Sequence, residues 1–315
     1  MSIAATRSSK DFLSLLDLPA AALDRLLDTA VELKAARQLE PRAPIAKALT
    51  GKHVAMLFQK PSLRTRSTFE IAIHELGGDA LYLPTEFADG DREPIEDVAR
   101  NLERWVHALV VRTFEQDRAA RFAAAAPSLH VINALTDEQH PCQALADALT
   151  MRERWGTCRG RTLAYVGDGN NVAASLAHAA ALLGMGLRLA SPAGYELPSQ
   201  VVADAMHAAR DGASIQRADD APTAVAGADA VYTDAWASMG QEDEAEDRRR
   251  VFEPYQVTSE LMAVAAPGAL FMHCLPAHRG EEVTTEVLES PASVVFDQAE
   301  NRLHTQKALL LHLLA

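Results

Sequence analysis

An α/β protein with two parallel-sheet domains joined by long helices is what this sequence predicts, on three observations. Short apolar or β-branched runs alternate with longer amphipathic stretches, the pattern of strands that return through helices to a parallel sheet. The length, 315 residues, suits two domains and a substantial core. Several apolar runs end directly in polar or charged residues, and in open α/β sheets the carboxyl ends of strands are where ligands bind.

The first apolar run, His53 to Phe58, reads as a buried strand. Phe58-Gln-Lys-Pro-Ser-Leu-Arg-Thr-Arg66 follows and opens a helix marked by Phe69, Ile73 and Leu76 at helical spacing. Pro61 punctuates that junction and Ser62 suits its N-cap. Strands are predicted next at 80–83, 107–112 and 130–133. Ile95, Val98, Leu102 and Val106 fall on one helix face, with Pro94 at the start, where a missing N–H costs little. A helix from near His140 to about Trp155 is the expected hinge between the domains. The second half predicts strands at 162–166, 186–190, 229–233, 269–272 and 293–296. The last segment, Gln298 to Leu314, is a strongly apolar helix expected to pack back on the first domain. The expected domains are therefore 1–148, with helix 298–315 added, and 149–297. In the charged run Gln241 to Arg250, Glu244 and Arg248, then Glu246 and Arg250, stand at i,i+4 spacing. Such spacing usually marks a solvated helix face; a loop and helix closing over a site is the sharper reading.

Composition removes several function classes. Hydrophobic content of 48% and charged content of 23% are ordinary for a globular domain. A net charge of −13 argues against nucleic acid or an anionic membrane surface as a general partner. No apolar run approaches the roughly 20 residues of a membrane helix, and Met1 to Lys10 has no signal-peptide core. The three cysteines (Cys142, Cys158, Cys274) lack CxxC spacing, which predicts reduced thiols in a cytoplasm and no structural metal.

The chemistry lies at helix starts and strand ends. A helix beginning at Ser62 offers backbone N–H groups and partial positive charge to an anion, and Arg64 and Arg66 add guanidinium forks. Arg112 closes an apolar strand and so stands at its carboxyl end; alone, such an arginine is more often a surface ion pair. His140-Pro-Cys-Gln143 opens a helix, where the dipole keeps an imidazole largely neutral. His140, an arginine and Gln143 together suit a carbonyl or amide; a capping role is the plain alternative for His140. Gly167-Asp-Gly-Asn-Asn171 invites a dinucleotide-binding reading, but Val172 stands where its third glycine belongs. Asn170 and Asn171 are better suited to a polar substrate or to a local turn. Asp234 follows a strand and has Ser238 four residues on, a pairing that can hold an amino-acid backbone by its ammonium group. His273-Cys-Leu-Pro276 occupies the same topological position, and Arg302 in Glu300-Asn-Arg302 is placed to return to the anion site.

Taken in order, the words SLRTR (62–66), HPCQ (140–143), GDGNN (167–171), DAWASMGQE (234–242), HCLPAHRGEE (273–282) and DQAENRLHTQKA (297–308) resemble the ornithine carbamoyltransferases. The resemblance covers nearly the whole chain, about Asp11 to Leu314. It implies one domain for carbamoyl phosphate and a Rossmann-like domain for L-ornithine, in trimers, sometimes stacked further, with sites at subunit boundaries. It implies that Ser62, Leu63, Arg64, Thr65, Arg112, His140, Gln143, Cys274, Leu275 and Arg302 contact carbamoyl phosphate. Asn171, Asp234, Ser238 and Met239 would hold ornithine, with Arg112, His140 and Cys274 the catalytic groups. No metal and no nucleotide cofactor are implied. The product would be citrulline, in amino-acid metabolism and arginine biosynthesis.

Carbamoyl phosphate is already an activated mixed anhydride, so the expected tasks are positioning and charge stabilisation. Helix-start amides and Arg64 would receive the departing phosphate, while Arg112, His140 and Thr65 polarise the carbonyl. The attacking amine, with a pKa of about 10.4, must first lose a proton. One departure stands out: Glu86 occupies the place where many members carry a glutamine that reaches the neighbouring subunit, and Arg92 is a nearby compensating group. Aspartate, putrescine or acetylornithine as acceptor, a nicotinamide-dependent oxidoreductase resting on GDGNN, and an inactive binding protein are the alternatives. The first group conflicts with the DxWxSMG word; the second leaves SLRTR and HPCQ unexplained; the third conflicts with an intact set of chemical groups.

Overall fold

The computed structural model describes residues 10–39, 47–85, 93–237 and 244–315. Glu86, Arg92, Ser238 and Met239 lie outside them. The chain divides into two compact units, one made of Met1–Leu149 and Arg302–Ala315, the other of Thr150–Asn301.

The first unit holds α1 (Ala20–Leu39), β1 (His53–Phe58), α2 (Leu63–Glu75), β2 (Asp79–Leu83), α3 (Ile95–Trp105), β3 (Ala108–Arg112), α4 (Gln116–Ala125) and β4 (His130–Leu135). The division between units falls inside α5 (Pro141–Trp155). The four strands form a parallel sheet in the order β2-β1-β3-β4. β3 is buried along its whole length, as expected of a parallel strand covered on both faces, whereas the edge strand β2 is largely exposed. Leu57, Leu109, Val111 and Val131 meet Val98 and Leu102 of α3 and Phe122 of α4 in the core. The amphipathic spacing of Ile95, Val98 and Leu102 thus does the work expected of it. Phe58 is level with Arg112, and Arg112 with Leu135 after a register shift at Val111. The turns that follow these three strands therefore leave from one edge.

The second unit holds β5 (Thr162–Val166), α6 (Asn171–Leu183), β6 (Gly186–Ala190), α7 (Ser199–His207), β7 (Ser214–Arg217), α8 (Ala221–Val225), β8 (Ala230–Thr233), α9 (Ala245–Phe252), α10 (Ser259–Met262), β9 (Leu270–His273) and α11 (Thr285–Leu288). The last helix, α12 (Val295–Leu314), again spans the division. Its five strands are parallel in the order β7-β6-β5-β8-β9, so β5 lies at the centre with crossovers to either side. Val166, Val231 and Phe271 form the core with Val257 and Val287. Tyr165 pairs with Tyr232 and Thr233 with His273 in register. Gly167, Asp234 and Cys274 therefore all leave the carboxyl edge of this sheet.

Two expectations need correction. Residues 293–296 are not a strand: Ser293 makes a single bridge with Phe271, and α12 begins at Val295 instead of near Gln298. The apolar run Val294-Val295-Phe296 straddles that bridge and the first helical turn, so its hydrophobicity carries no strand period. Conversely, β7 was not foreseen, because Ser-Ile-Gln-Arg is an edge strand with little apolar content. None of Cys142, Cys158 and Cys274 is in a disulfide. Among the described residues no helix is long and apolar enough to cross a membrane.

Helix α6 buries every residue after its first, including His178. Burial pushes the His178 imidazole down to about 4, with Asp204 opposing part of that shift. The unfolded chain takes up this proton near pH 6.5 and the folded chain does not. Stability present above pH 6.5 is therefore lost as pH falls from about 6.5 towards 4, at up to about 1.4 kcal/mol per pH unit. The melting temperature should fall over that window, and His178→Gln should flatten the fall; an unchanged slope would remove His178 from the account.

Candidate active site

In the first unit, Ser62 caps α2: it is extended at φ −156°, and its Oγ accepts from the Thr65 N–H at 3.2 Å. The cap leaves the opening turn with backbone N–H groups directed away from the helix. Leu63 projects its side chain outward, 80% exposed. Arg64 is half-buried and Thr65 buried. The two arginines of the motif part company: Arg66 lies over the Tyr82 ring, 4.0 Å from its centroid, beside Glu70 at 3.8 Å. Arg66 thus serves the surface of β2, and the expectation that it joins the anion fork is withdrawn.

Arg112, the last residue of β3, is buried and donates from Nε to the Lys60 carbonyl at 3.2 Å. Lys60 is itself buried over the Phe114 ring and paired with Asp137, which fixes the turn between β1 and α2. His140 and Gln143 open α5, and Arg302 comes from α12. Arg302 is almost fully buried, at 2% exposure, and its two Nη groups reach Gln143 Oε1 at 2.7 Å and Thr65 Oγ1 at 3.1 Å. Gln143 donates in turn to Asp147 at 2.8 Å, which fixes its amide orientation. Burial and then the charges of Arg302, Arg112 and Arg64 hold the His140 imidazole well below its ordinary range. The neutrality expected from the helix dipole is found, but desolvation and three guanidinium groups are what enforce it. The six groups Ser62, Arg64, Thr65, Arg112, His140 and Arg302 form one electropositive cradle that can bind an oxyanion while offering a neutral imidazole.

In the second unit, Asp234 is the hub. Its Oδ2 accepts from Asn170 Nδ2 at 2.8 Å and its Oδ1 from the Cys274 thiol at 2.9 Å. A carboxylate has about four lone-pair positions, so Asp234 retains capacity for a cationic ligand. Asn170 performs the local role: it caps α6 through its Oδ1, which accepts from the Val172 and Ala173 N–H groups and from the Tyr165 hydroxyl. Asn171, the first residue of α6, stays half-exposed at the same edge. Behind Cys274, His273 and Glu282 are both fully buried. His273 Nδ1 accepts from the Leu275 N–H at 2.8 Å, so its other nitrogen carries the proton and donates to Glu282 at 3.1 Å. Burial alone would raise the Glu282 carboxyl, but hydrogen bonds from His273 and the His278 N–H bring it below its usual value. Leu275 sits at φ +59°, a left-handed conformation rare for a branched residue, held by that bond to His273.

Asp234, His273 and Cys274, and separately His278, Glu281 and Glu282, bring donor atoms within 4.8 Å of one another. Hydrogen bonds already account for both gatherings: Cys274 serves Asp234, His273 serves Leu275 and Glu282, and Glu281 pairs with Arg249. The dinucleotide reading of GDGNN fails on space. A Cβ at Gly169 would fall 2.2 Å from the Leu197 nitrogen, so this glycine is packed against protein backbone, where a pyrophosphate would need open approach.

Sequence reading missed four residues of these networks. Lys60 and Asp147 act through Arg112 and Gln143: Lys60 stands inside the Phe58–Arg66 stretch with nothing there to assign it a role, and Asp147 lies one helical turn beyond Gln143. Glu282 stands inside its motif with no positional feature that assigns it a role. Arg248 was read as part of a solvated face, yet it is buried against Asp168; its i,i+4 partner Glu244 at 3.6 Å is the solvated one.

Comparison with known proteins agrees with this geometry. Residues 10–153 match the carbamoyl-P binding domain model of aspartate/ornithine carbamoyltransferase, and residues 159–313 match its Asp/Orn binding domain model. The chain is 50% identical to the ornithine carbamoyltransferase of Symbiobacterium thermophilum over 98% of this chain and 99% of the relative. It is 51% identical to that of Parafrankia sp. over 98% and 96%. Among solved structures, the ornithine carbamoyltransferase of Pyrococcus furiosus superposes with a TM-score of 0.90 at 49% identity, over 95% of each chain. That of Thermus thermophilus gives 0.87 at 44%, over 98% of this chain and 99% of the other. With both halves matched and half of all residues identical to such relatives, the chain belongs to the aspartate/ornithine carbamoyltransferase family.

Proposed function

We propose that this carbamoyltransferase moves the carbamoyl group of carbamoyl phosphate to the side-chain amine of L-ornithine, giving L-citrulline and phosphate. The observation that carries the choice of acceptor is Asp234, a buried carboxylate oriented by Asn170 and Cys274 at a strand's carboxyl end. It suits an α-ammonium group, whereas a dicarboxylate acceptor such as aspartate would call for basic groups there. The two relatives at about half identity described above bear the name ornithine carbamoyltransferase.

In this reading the α2 amides, Ser62, Leu63 and Arg64 receive the phosphate. Arg112, His140 and the Thr65 hydroxyl stabilise the carbonyl oxygen as it gains charge. Gln143 keeps one amide hydrogen beyond its bond to Asp147 and is assigned to the carbamoyl group. Because His140 is neutral, it donates a hydrogen bond without competing with the arginines for the dianion. Asp234, Asn171, Ser238 and Met239 hold the amino acid. Cys274 lies with the attacking amine, and Leu275 with the carbamoyl group. The amine loses its proton, forms the new C–N bond, and phosphate departs with the electrons of the broken C–O bond. No covalent enzyme intermediate is needed, since the substrate arrives activated. We assign the enzyme to the cytoplasm, consistent with cysteines that form no disulfide, and to the synthesis of arginine precursors.

The reading also includes a homotrimer with the phosphate cradle at subunit boundaries. Leu63, Ile71, Leu81 and Tyr82 are exposed apolar side chains on α2 and on the edge strand β2, beside the cradle. Such surface on an unpaired sheet edge favours a partner copy. Sedimentation equilibrium should give three times the chain mass, or a multiple of it; a monomer at micromolar concentration would refute the assembly.

Purified protein given carbamoyl phosphate and L-ornithine should form citrulline. Product only with aspartate, putrescine or acetylornithine would refute the assignment. Arg64→Ala should raise the carbamoyl phosphate KM roughly 10–100-fold, the worth of a charge-assisted hydrogen bond, with the ornithine KM little changed.

A further inference from the structure

Arg248 carries a positive charge that the reaction does not use, and it is buried in the second unit. Its guanidinium pairs with Asp168, which follows β5, and its Nε donates to the Trp236 carbonyl, which follows β8. The same guanidinium lies 4.8 Å from the Tyr195 ring centroid, in the loop after β6, and 5.3 Å from that of Phe252 on its own helix. Tyr195 meets Phe252 edge-on at 4.9 Å, and Trp236 stacks near Phe252 at 6.1 Å. One side chain thus joins the loops after three adjacent strands, β6, β5 and β8, at the edge where Asp234 emerges.

Two of these loops lead straight to the amino-acid subsite. The Asn170 N–H donates to the Asp168 carbonyl at 2.8 Å, and the Asn170 side chain donates to Asp234 at 2.8 Å. Trp236 is two residues beyond Asp234 in the same loop. We infer that Arg248 and Asp168 are positioning residues for the amino-acid substrate: their ion pair fixes the Asn170–Asp234 pair that receives its ammonium group. The inference rests on the ornithine reading above.

Charge balance gives the pair a second task. Burial raises the Asp168 carboxyl, Arg248 pulls it back and the neighbouring Asp234 charge pushes it up again, which leaves it at about 6. Without Arg248, the Asp168 carboxyl would lose its cation and the loops after β5 and β8 would lose the fork that ties them, leaving the Asn170–Asp234 pair unsupported. Lysine would restore the charge but not the fork that holds Asp168 and the Trp236 carbonyl together.

The test compares wild type with Arg248→Met, Arg248→Lys, Asp168→Asn and the double variant Arg248→Met/Asp168→Asn, each first checked for a cooperative thermal melt. Arg248→Met should raise the ornithine KM roughly tenfold or more, the scale of one misplaced charge-assisted contact, with the carbamoyl phosphate KM within about twofold. Arg248→Lys should fall between Met and wild type. The double variant should recover part of the loss, because it replaces the stranded buried acid with a neutral amide of the same shape. If Arg248→Met does not fold, Arg248→Lys and Asp168→Asn carry the same split in KM. An unmoved ornithine KM in folded variants, or an equal rise in both KM values, overturns the positioning role while active wild type leaves the ornithine reading standing. Wild type that forms no citrulline defeats that reading, and this inference with it.

Discussion

A guanidinium that stays charged at every accessible pH is held at 2% exposure in the first unit, and the anion cradle is arranged around it. Removing such an ion from water costs several kcal/mol unless hydrogen bonds replace its hydration. Arg302 obtains them from Gln143 on α5 and Thr65 on α2, so the C-terminal helix, the helix after His140 and the helix at Ser62 are committed to a single geometry. Gln143 is committed in turn by Asp147. The neutrality of His140 is a consequence: an imidazole desolvated among Arg302, Arg112 and Arg64 cannot afford a further proton. Positive charge and a neutral donor side by side are what a phosphate attached to a carbonyl requires.

The second unit solves the opposite problem, holding carboxylates at a sheet edge where they would repel. Among the described residues Asp234 is met by hydrogen bonds from Asn170 and Cys274, whereas Asp168 has a buried cation of its own. That asymmetry is what suits Asp234 to the ammonium group of the proposed substrate. Farther back, Glu282 and His273 hold the Leu275 backbone in a left-handed turn, so the thiol of Cys274 faces Asp234 from a rigid support.

How much of this is legible in the sequence depends on the length scale of each signal. Strands β1, β3, β5 and β6 are short apolar runs bounded by turns, and their limits can be read within a residue. β7 cannot, because an edge strand need bury only one face, and Ile215 is its sole apolar residue. Residues 293–296 mislead for the converse reason: burial of Val294 and Val295 is shared between a single bridge and a helix start. In the site, Ser62, Arg112, His140 and Asp234 announce themselves by position, at helix starts and strand ends. Arg248 does not, since its partners Asp168 and Tyr195 are 80 and 53 residues away and its neighbours Arg249 and Arg250 are exposed. Arg66 shows the reverse error, in which a motif residue two positions from Arg64, about 200° around the helix, faces Tyr82 instead.

The arginine cluster around His140 also decides how an acidic protein meets a dianion. The chain carries a net charge of −13, but at physiological ionic strength that excess is screened beyond about 8 Å. Within that distance Arg64, Arg112 and Arg302 dominate, so an oxyanion is captured on contact and is not drawn in from afar. A cradle of this kind discriminates poorly among small tetrahedral anions, and one of these is the inorganic phosphate the reaction releases. In the proposed reading, the group that receives the leaving phosphate is also the group from which it must escape, so accumulated phosphate would compete for the same cradle.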